Sequence, residues 1–138
     1  MKYFLDTNIL LYADDGDAGP RHEMSVNLIE EAMTSGHGVI STQVLQEYFV
    51  NATRKLGIEA GEAKLNVELY SRMGVVQVRL ADILAAIDLH RIYQLSLWDA
   101  LIVSCAAASG CDRVLTEDLQ HGQVISGVKI ENPFRDLS

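Results

Sequence analysis

Cysteine is nearly absent from this sequence, and its scarcity argues against several kinds of protein. Only Cys105 and Cys111 are present, too few for a disulfide framework and without the C-x-x-C spacing of a zinc knuckle or redox pair. We expect Cys105, which falls in an apolar helical run, to be a buried thiol. The 4 histidines form no H-x-x-x-H pair, so a zinc site is not indicated either.

Long apolar runs and leader-like segments are missing as well. No window holds the roughly 18 uncharged apolar residues that a membrane span requires. The opening Met1-Lys2 and its apolar continuation resemble a signal peptide only superficially, because Asp6 and Asn8 interrupt them and no small-residue cleavage site follows. We therefore predict a cytoplasmic protein that does not contact membranes.

Positive charge is also scarce, since the 138 residues carry 11 Lys and Arg against 19 Asp and Glu, a net charge of −8. Proteins that bind duplex nucleic acids usually show a basic footprint. An acidic protein avoids polyanions, recruits cations that bridge to them, or relies on a basic partner, and the sign of the charge does not choose among these. The 49% hydrophobic composition indicates a folded protein. Its length predicts one domain over residues 1–138.

Apolar runs of strand length alternate with segments of helical periodicity along the chain. The predicted strands are Tyr3–Leu5, His37–Ile40, Val75–Val78, Arg113–Leu115 and Val128–Ile130. A short helix is predicted behind Asp6, and longer ones over residues 20–35, 42–57, 59–73, 80–93 and 97–109, with residues 13–20 as a solvated acidic loop. This alternation predicts an α/β protein, a three-layer α/β/α sandwich around a mainly parallel sheet of about five short strands.

Acidic residues recur where the predicted strands end. Asp6 follows the first strand and Asp118 the fourth, while Glu47 lies in the helix after the second strand and Asp99 near the start of the last helix. The carboxyl ends of parallel strands share one edge of a sheet, where ligands bind. We therefore expect Asp6 and Asp118 at that edge, with Glu47 and Asp99 on helices that lean over it.

The two acids at strand ends each have a purely structural alternative. Asp6 is a favoured N-cap residue for the helix that it precedes, because its oxygen can accept the free N–H groups of the first turn. Asp118 can be a simple turn residue, and the adjacent Glu117 can then be the functional acid instead.

The two acids on helices have alternatives of their own. Glu47 can be a solvated residue that pairs with Asn51 or Arg54 on the same helix. Ser96 and Asp99 fit a capping box, in which the acidic side chain reaches back to the N–H of the cap residue. From local pattern alone, both interpretations of each residue stay open.

Electrostatics indicates what a cluster of four acids would require. Two carboxylates about 4 Å apart repel by roughly 4 kcal/mol at an effective dielectric constant near 20. Repulsion among four carboxylates in one pocket would offset a sizeable share of a free energy of unfolding of about 5–15 kcal/mol. Such a cluster therefore needs a bound cation, or carboxyl groups with raised pKa values. Hard oxygen ligands without Cys or His select Mg²⁺ or Mn²⁺, which can serve phosphodiester cleavage. We therefore expect Asp6, Asp99 and Asp118 close enough to share an ion.

Four stretches of the chain, in this order, carry a family resemblance. They are Phe4-Leu5-Asp6-Thr7-Asn8-Ile9-Leu10, Ile40-Ser41-Thr42-Gln43-Val44-Leu45-Gln46-Glu47, Leu95-Ser96-Leu97-Trp98-Asp99-Ala100-Leu101-Ile102 and Leu115-Thr116-Glu117-Asp118-Leu119-Gln120-His121-Gly122. Together they resemble the PIN domain family, specifically the VapC-like toxin ribonucleases of bacterial toxin–antitoxin pairs. The resemblance spans essentially the whole chain, and the closing Asn132-Pro133-Phe134 also resembles the end of this subgroup.

The resemblance implies an endoribonuclease that depends on Mg²⁺ or Mn²⁺, is inhibited by a cognate antitoxin protein and is commonly a homodimer. The residues that match the acidic quartet are Asp6, Glu47, Asp99 and Asp118. Asp6 and Asp99 match the principal metal ligands. Asn8 and Thr116 match polar residues that orient the acids or a water, and the T-x-D pattern leaves Glu117 a flanking role.

An acidic RNA-binding protein needs local positive charge. The candidates for a basic rim, all on the two middle helices, are Arg54, Lys55, Lys64 and Arg72. The same two helices are predicted to form a groove for an antitoxin segment. Two alternatives to a toxin stay open, namely a PIN nuclease that acts in RNA processing or on structured DNA, and a non-catalytic PIN-fold binding module.

Overall fold

The structure, a computed structural model, describes residues 1–137 and confirms the predicted α/β class. The strands are β1 (Lys2–Leu5), β2 (Gly38–Ser41), β3 (Gly74–Val76), β4 (Cys111–Leu115), β5 (Val124–Ile125) and β6 (Val128–Glu131). The helices are α1 (Thr7–Asp14), α2 (Pro20–Ser35), α3 (Thr42–Arg54), α4 (Ala60–Tyr70), α5 (Leu80–Tyr93) and α6 (Leu97–Ala108).

One sheet in the order β3-β2-β1-β4-β6-β5 forms the centre of the fold. Every neighbouring pair is parallel except β5 and β6. The chain moves outward from β1 to β3 and then crosses back to β4. Because such crossovers are right-handed, α1 to α4 cover one face of the sheet, and α5 and α6 cover the other. The winding direction therefore reverses between β1 and β4, the kind of position where α/β proteins bind ligands.

Helix α6 is nearly apolar on every side because it is buried in the interior of the protein. All residues from Ala100 to Ala106 are buried, and the helix packs against β1, β2, β4 and β6. The prediction of an interior helix is confirmed, as is the prediction of a buried Cys105 thiol. None of the helices in residues 1–137 is long and apolar enough to cross a membrane.

Close packing of α2 on β2 explains one glycine. A Cβ atom at Gly38 would lie 2.4 Å from the Cβ of Ala32, so a larger residue would push the helix away from the sheet. Several predicted boundaries are wrong in this half of the chain. Helix α3, predicted to reach residue 57, ends at Arg54, and β3, predicted to reach Val78, ends at Val76. The fourth helix ends at Tyr70 because Met73 N–H turns back to the carbonyl of Tyr70 at 3.1 Å, and β3 accordingly begins one residue earlier than predicted, at Gly74.

The end of the sheet beyond β4 also differs from the prediction. Residues Val124 and Ile125 form β5, a two-residue strand antiparallel to β6, which adds a sixth strand. A run this short carries too little alternation of apolar and polar residues to be recognised in a sequence.

The predicted acidic loop is partly wrong, because α1 continues as far as Asp14. The Asp14 carboxylate accepts hydrogen bonds from the hydroxyls of Tyr48 at 2.5 Å and Tyr70 at 2.8 Å. Asn66 donates to the Tyr48 hydroxyl at 2.9 Å, and the two tyrosine rings pack edge to face with centroids 5.3 Å apart. We call Asp14, Tyr48, Asn66 and Tyr70 the tyrosine network, and it joins the end of α1 to α3 and α4.

Candidate functional site

Asp6 lies at the point where β1 ends beside β4. Its backbone N–H donates to the Leu115 carbonyl at 3.1 Å, and its side chain is 5% exposed. It occupies the N-cap position of α1 without making a side-chain capping bond, and its carboxylate instead accepts from the Thr116 hydroxyl at 2.9 Å. Burial, and then the charge of Asp118, raise the pKa of Asp6 to about 7, while the Thr116 bond opposes the rise.

Asp118 is held above the same edge by two neighbours. Its backbone N–H donates to the Thr116 hydroxyl at 3.1 Å, and the side-chain amide of Asn8 donates to its carboxylate at 3.2 Å. One hydroxyl thus contacts both strand-end acids. Thr116 is buried, whereas Asp118 is exposed, so Asp118 is the acid with room to change its orientation.

Glu117 is bound elsewhere, and it does not join the other acids. Its carboxylate accepts hydrogen bonds from the Tyr12 hydroxyl and from Nε of Arg21, the latter at 3.0 Å. Burial, followed by the bond to Glu117, raises the pKa of Tyr12 to about 12, so the hydroxyl keeps its proton and donates it. These contacts anchor the loop between Thr116 and Asp118.

Glu47 reaches the site through a residue that the sequence patterns did not single out. Gln43, one turn earlier on α3, donates from Nε2 to the Glu47 carboxylate at 2.5 Å and to the carbonyl of Trp98 at 3.4 Å. This bridge joins α3 to the start of α6. Burial raises the pKa of Glu47, the Gln43 bond lowers it, and the charges of Asp99 and Asp118 raise it further.

The alternative pairing of Glu47 along its own helix is not formed. The Asn51 amide donates to the backbone carbonyl of Glu47 and not to its carboxylate. Among the ion pairs within residues 1–137 there is none between Glu47 and Arg54.

The cap that Ser96 was predicted to form at the start of α6 is present, but within residues 1–137 the Asp99 carboxylate makes no return bond to the Ser96 N–H. The Ser96 hydroxyl accepts from the Asp99 N–H at 3.1 Å, so the start of α6 is capped. Burial raises the pKa of Asp99, the Ser96 hydroxyl lowers it, and the charge of Asp118 raises it. The side chain is half-buried, and the bridge from Gln43 to Trp98 brings it near Glu47.

The four acids converge without forming a finished metal site. Asp118 raises the pKa of each of the other three, and none of the four takes part in an ion pair within residues 1–137. In that same part of the chain, no three His, Cys, Asp or Glu side chains are close enough to hold one ion as placed. As placed, Asp6, Asp99 and Asp118 form no such group, and their sharing one ion stays a prediction. Mutual repulsion spreads uncompensated carboxylates, and side-chain rotation would be needed to bring three of them together.

The donor set nevertheless fits a hard divalent cation. Every group at this edge that can act as a ligand is an oxygen, from carboxylates, the Thr116 hydroxyl or the Gln43 amide. The Oε1 atom of Gln43 and the hydroxyl of Thr7, both buried, have no hydrogen-bond partner within the described chain. The buried Asp6 and the half-buried Glu47 and Asp99, none of them ion-paired within residues 1–137, lie beside unpartnered oxygens and would suit a hard divalent cation.

Three contributors to this site were missed at the level of sequence. Gln43 stands four residues before Glu47 on one helix, a spacing that brings two side chains together and that is visible in the sequence. Tyr12 and Arg21 carry no comparable indication, because they contact Glu117 across separations of 105 and 96 residues.

The predicted basic rim divides between two surfaces. Arg54, Lys55, Lys64 and Arg72 are all exposed. Lys55 lines a cavity together with Asn8, so it lies beside the acidic edge. Lys64 lines a separate groove between α3 and α4.

Several solved protein structures share this fold. No curated protein sequence matches the chain. A toxin–antitoxin complex from Klebsiella pneumoniae is similar in fold, with a TM-score of 0.71 at 19% identity over 96% of this chain and 98% of that one. The sarcin-ricin loop cleaving toxin VapC20 of Mycobacterium tuberculosis has a TM-score of 0.69. It is 21% identical, over 82% of this chain and 87% of that one. VapBC2 from Rickettsia felis, solved with a promoter DNA fragment, has a TM-score of 0.69. It is 21% identical, over 96% of this chain and 98% of that one.

The family follows from the extent of one sequence match. A model of the PIN domain matches residues 3–125, which include the four acids and both polar residues that contact Asp118. The mostly parallel sheet and its helices are consistent with the PIN fold. The chain belongs to the PIN domain family.

Proposed function

We propose that this protein is a divalent-metal-dependent endoribonuclease and the toxin of a toxin–antitoxin pair. The observation that carries the proposal is the convergence of Asp6, Glu47, Asp99 and Asp118 at the switch point between β1 and β4. Membership of the PIN family and the fold shared with VapC toxins support it. The proposal includes one nuclease domain over residues 1–138 that acts in the cytoplasm.

The residues have separable roles in this proposal. Asp6 and Asp99 are the principal ligands of a Mg²⁺ or Mn²⁺ ion, and Glu47 and Asp118 complete the acidic set. When bound, the ion lowers the pKa of a water and offsets negative charge on the leaving oxygen. Because water is the attacking group, we expect products with 5′-phosphate and 3′-hydroxyl ends.

Polar neighbours keep the acids oriented. The Thr116 hydroxyl donates to Asp6 and accepts from the backbone of Asp118, and Asn8 donates to the Asp118 carboxylate. Gln43 sets the position of Glu47 relative to α6. These contacts limit side-chain motion at the acidic edge, so less order has to be imposed when substrate binds.

RNA cleavage is the direct test of the proposal. The purified protein is incubated with total RNA in Mg²⁺, in Mn²⁺ and in EDTA, and the ends of the fragments are mapped. We expect discrete cuts in the two metals and none in EDTA. Cutting that persists in EDTA would refute the metal-dependent mechanism, and cutting of structured DNA alone would favour the alternative PIN nuclease.

An apolar groove between α3 and α4 supports the antitoxin as a partner. The groove has a volume of about 670 Å³, and its lining includes Leu45, Phe49, Val50 and Val67. A groove of this type suits the apolar face of an amphipathic segment. Three of the solved proteins similar in fold are toxin–antitoxin assemblies. We propose that a segment of the antitoxin occupies this groove.

A charge introduced into the groove should separate inhibition from catalysis. We expect Phe49→Glu to weaken binding of the protein encoded by an adjacent small reading frame at least about tenfold, because a central aromatic anchor is lost. RNA cleavage should be unchanged. Leu65→Glu is the matched control, since Leu65 is exposed on α4 outside the groove. Equal affinity of the two variants, measured by calorimetry, would exclude the groove.

The outer face of α5 supports a homodimer. Leu80, Ile83, Leu84 and Ile87 are between 37% and 70% exposed on this helix. A continuous apolar helix face is unusual on the surface of a monomer and marks an interaction site. We propose that two copies of the chain bury this face against each other.

A charged residue on α5 should dissociate such a dimer. We expect Leu84→Glu to raise the dimer dissociation constant at least about tenfold, because it places a desolvated carboxylate in an apolar contact. Sedimentation equilibrium measures the change, with Leu65→Glu again as the control. A wild-type protein that is monomeric at micromolar concentration would contradict the proposal.

A further inference from the structure

A cavity of about 380 Å³ opens beside the acidic edge, between α1 and the end of α3. Its lining residues are Asn8, Leu11, Tyr12, Asp15, Lys55 and Leu56. Asn8 belongs to both features, since its amide donates to the Asp118 carboxylate at 3.2 Å. A molecule bound in the cavity would therefore lie next to the site proposed for cleavage.

The aromatic wall of this cavity is held in place before anything binds. The hydroxyl of Tyr12 donates to Glu117, and its ring packs edge to face on Phe134 with centroids 5.4 Å apart. The Arg21 guanidinium lies 6.0 Å from the centroid of the same ring. A side chain constrained on several sides loses little freedom on binding, so its contacts contribute more of their energy to affinity.

The remaining lining residues suit one nucleotide. Leu11 and Leu56 offer apolar contact to the face of a base, and Asn8 and Asp15 offer a donor and an acceptor to its edge. Lys55 supplies the only positive charge among the lining residues, where a phosphate would need it. Proteins recognise single-stranded RNA through this combination of stacking, edge contacts and a nearby cation.

We propose that this cavity binds one unstacked nucleotide of the RNA substrate, adjacent to the bond that is cut. The base packs against Tyr12 and the two leucines, and Lys55 lies near the flanking phosphate. This inference rests on the proposed function and adds to it, because it assigns a surface that selects the cleavage sequence. It also gives the acidic protein a local attraction for RNA that is separate from the metal.

A filled cavity provides the test. Leu56→Trp should occupy the space, and Leu69→Trp is the matched control, because Leu69 lines a different cavity, with Ala13 and Tyr70. The probes are derivatives of one short single-stranded RNA that the wild type binds, each lacking one base, and cleavage of the parent RNA in Mg²⁺ is mapped separately. Binding is measured by fluorescence anisotropy with Ca²⁺ in place of Mg²⁺, and circular dichroism verifies that each variant folds.

We expect one position beside the cut bond to matter. Loss of its base should weaken binding to the wild type and to Leu69→Trp about tenfold, and should change binding to Leu56→Trp less than about twofold. A second variant, Lys55→Ala, should weaken binding of every RNA about equally and flatten its salt dependence.

Three results would overturn the inference. They are equal affinity of the wild type for all the probes, full sensitivity in Leu56→Trp, and normal RNA binding by Leu56→Trp with loss of antitoxin binding. The last result would assign the cavity to the antitoxin. A sensitive base position without any cleavage in Mg²⁺ would refute the nuclease proposal alone, and cleavage without a sensitive position would refute the nucleotide site alone.

Discussion

Replacing Asp6 or Asp99 by Asn is expected to lower Mg²⁺-dependent RNA cleavage at least about a hundredfold, because each change removes a principal ligand of the proposed metal. The two residues approach the site from different elements, the end of β1 and the start of α6. Equal losses in both variants would indicate one shared site. Cleavage rates on a defined RNA, with Mg²⁺ varied, measure the effect.

An exposed acid away from the site provides the control. Asp112 lies on β4 at the edge of the sheet opposite Asp118 and is exposed. Asp112→Asn makes the same change in charge and should cleave RNA like the wild type. If Asp6→Asn and Asp99→Asn retained full activity and changed only the melting temperature, the protein would be a non-catalytic binding module.

Asp6→Asn should remain folded and should be more stable than the wild type in EDTA at neutral pH. In the folded protein, burial and the charge of Asp118 raise the pKa of Asp6 to about 7, against the ordinary 3.8 of an exposed aspartate. The folded state therefore binds a proton that the unfolded chain releases, so the stability of the wild type falls as the pH rises between these two values. Asp6→Asn removes this dependence. Thermal melts from pH 4 to pH 8 test the difference.

Asp14→Ala is expected to lower the free energy of unfolding by about 2–4 kcal/mol, because it leaves two buried tyrosine hydroxyls without their acceptor. Tyr48 is 0% exposed and Tyr70 is 4% exposed, and both donate to Asp14. Urea denaturation followed by circular dichroism measures the change. Since the tyrosine network joins α1 to α3, the loss should also loosen the helix that carries Glu47.

A nearby aspartate separates this contact from a general charge effect. Asp17 is exposed in the turn after α1, and Asp17→Ala should change stability by less than about 0.5 kcal/mol. Similar effects of the two substitutions would show that the tyrosine network contributes little. Loss of stability in Asp14→Ala alone would show that this carboxylate is an internal component of the fold.

The acidic edge was predictable because each of its residues follows a local pattern. Asp6 and Asp118 come directly after apolar strands, and parallel strands end on one side. Glu47 and Asp99 lie on helices that apolar periodicity predicted, and the cap predicted at Ser96 is formed. The sheet order could not be obtained in this way, because it depends on which strands pair over long stretches of chain.

The contacts that orient the acids were much less predictable. The Glu117 carboxylate is bound by Tyr12 and Arg21, more than 90 residues away in sequence. The tyrosine network similarly joins residues separated by 34 and 56 positions. Such pairs leave no periodicity in the chain, because they depend on how whole helices dock against each other. Asp14 consequently resembled a solvent-exposed loop residue.

The sequence by itself determined the α/β class, the interior position of α6 and the identity of the acids at the strand ends, because apolar periodicity and strand boundaries are local properties. Only the tertiary structure decided how these acids are oriented, which neighbours hold Glu117 and Asp14, and where cavities open beside them. Those features arise when distant elements pack together. In this protein the candidate metal ligands can therefore be identified from the sequence. The surfaces proposed to bind RNA and the antitoxin can be identified only from the tertiary structure.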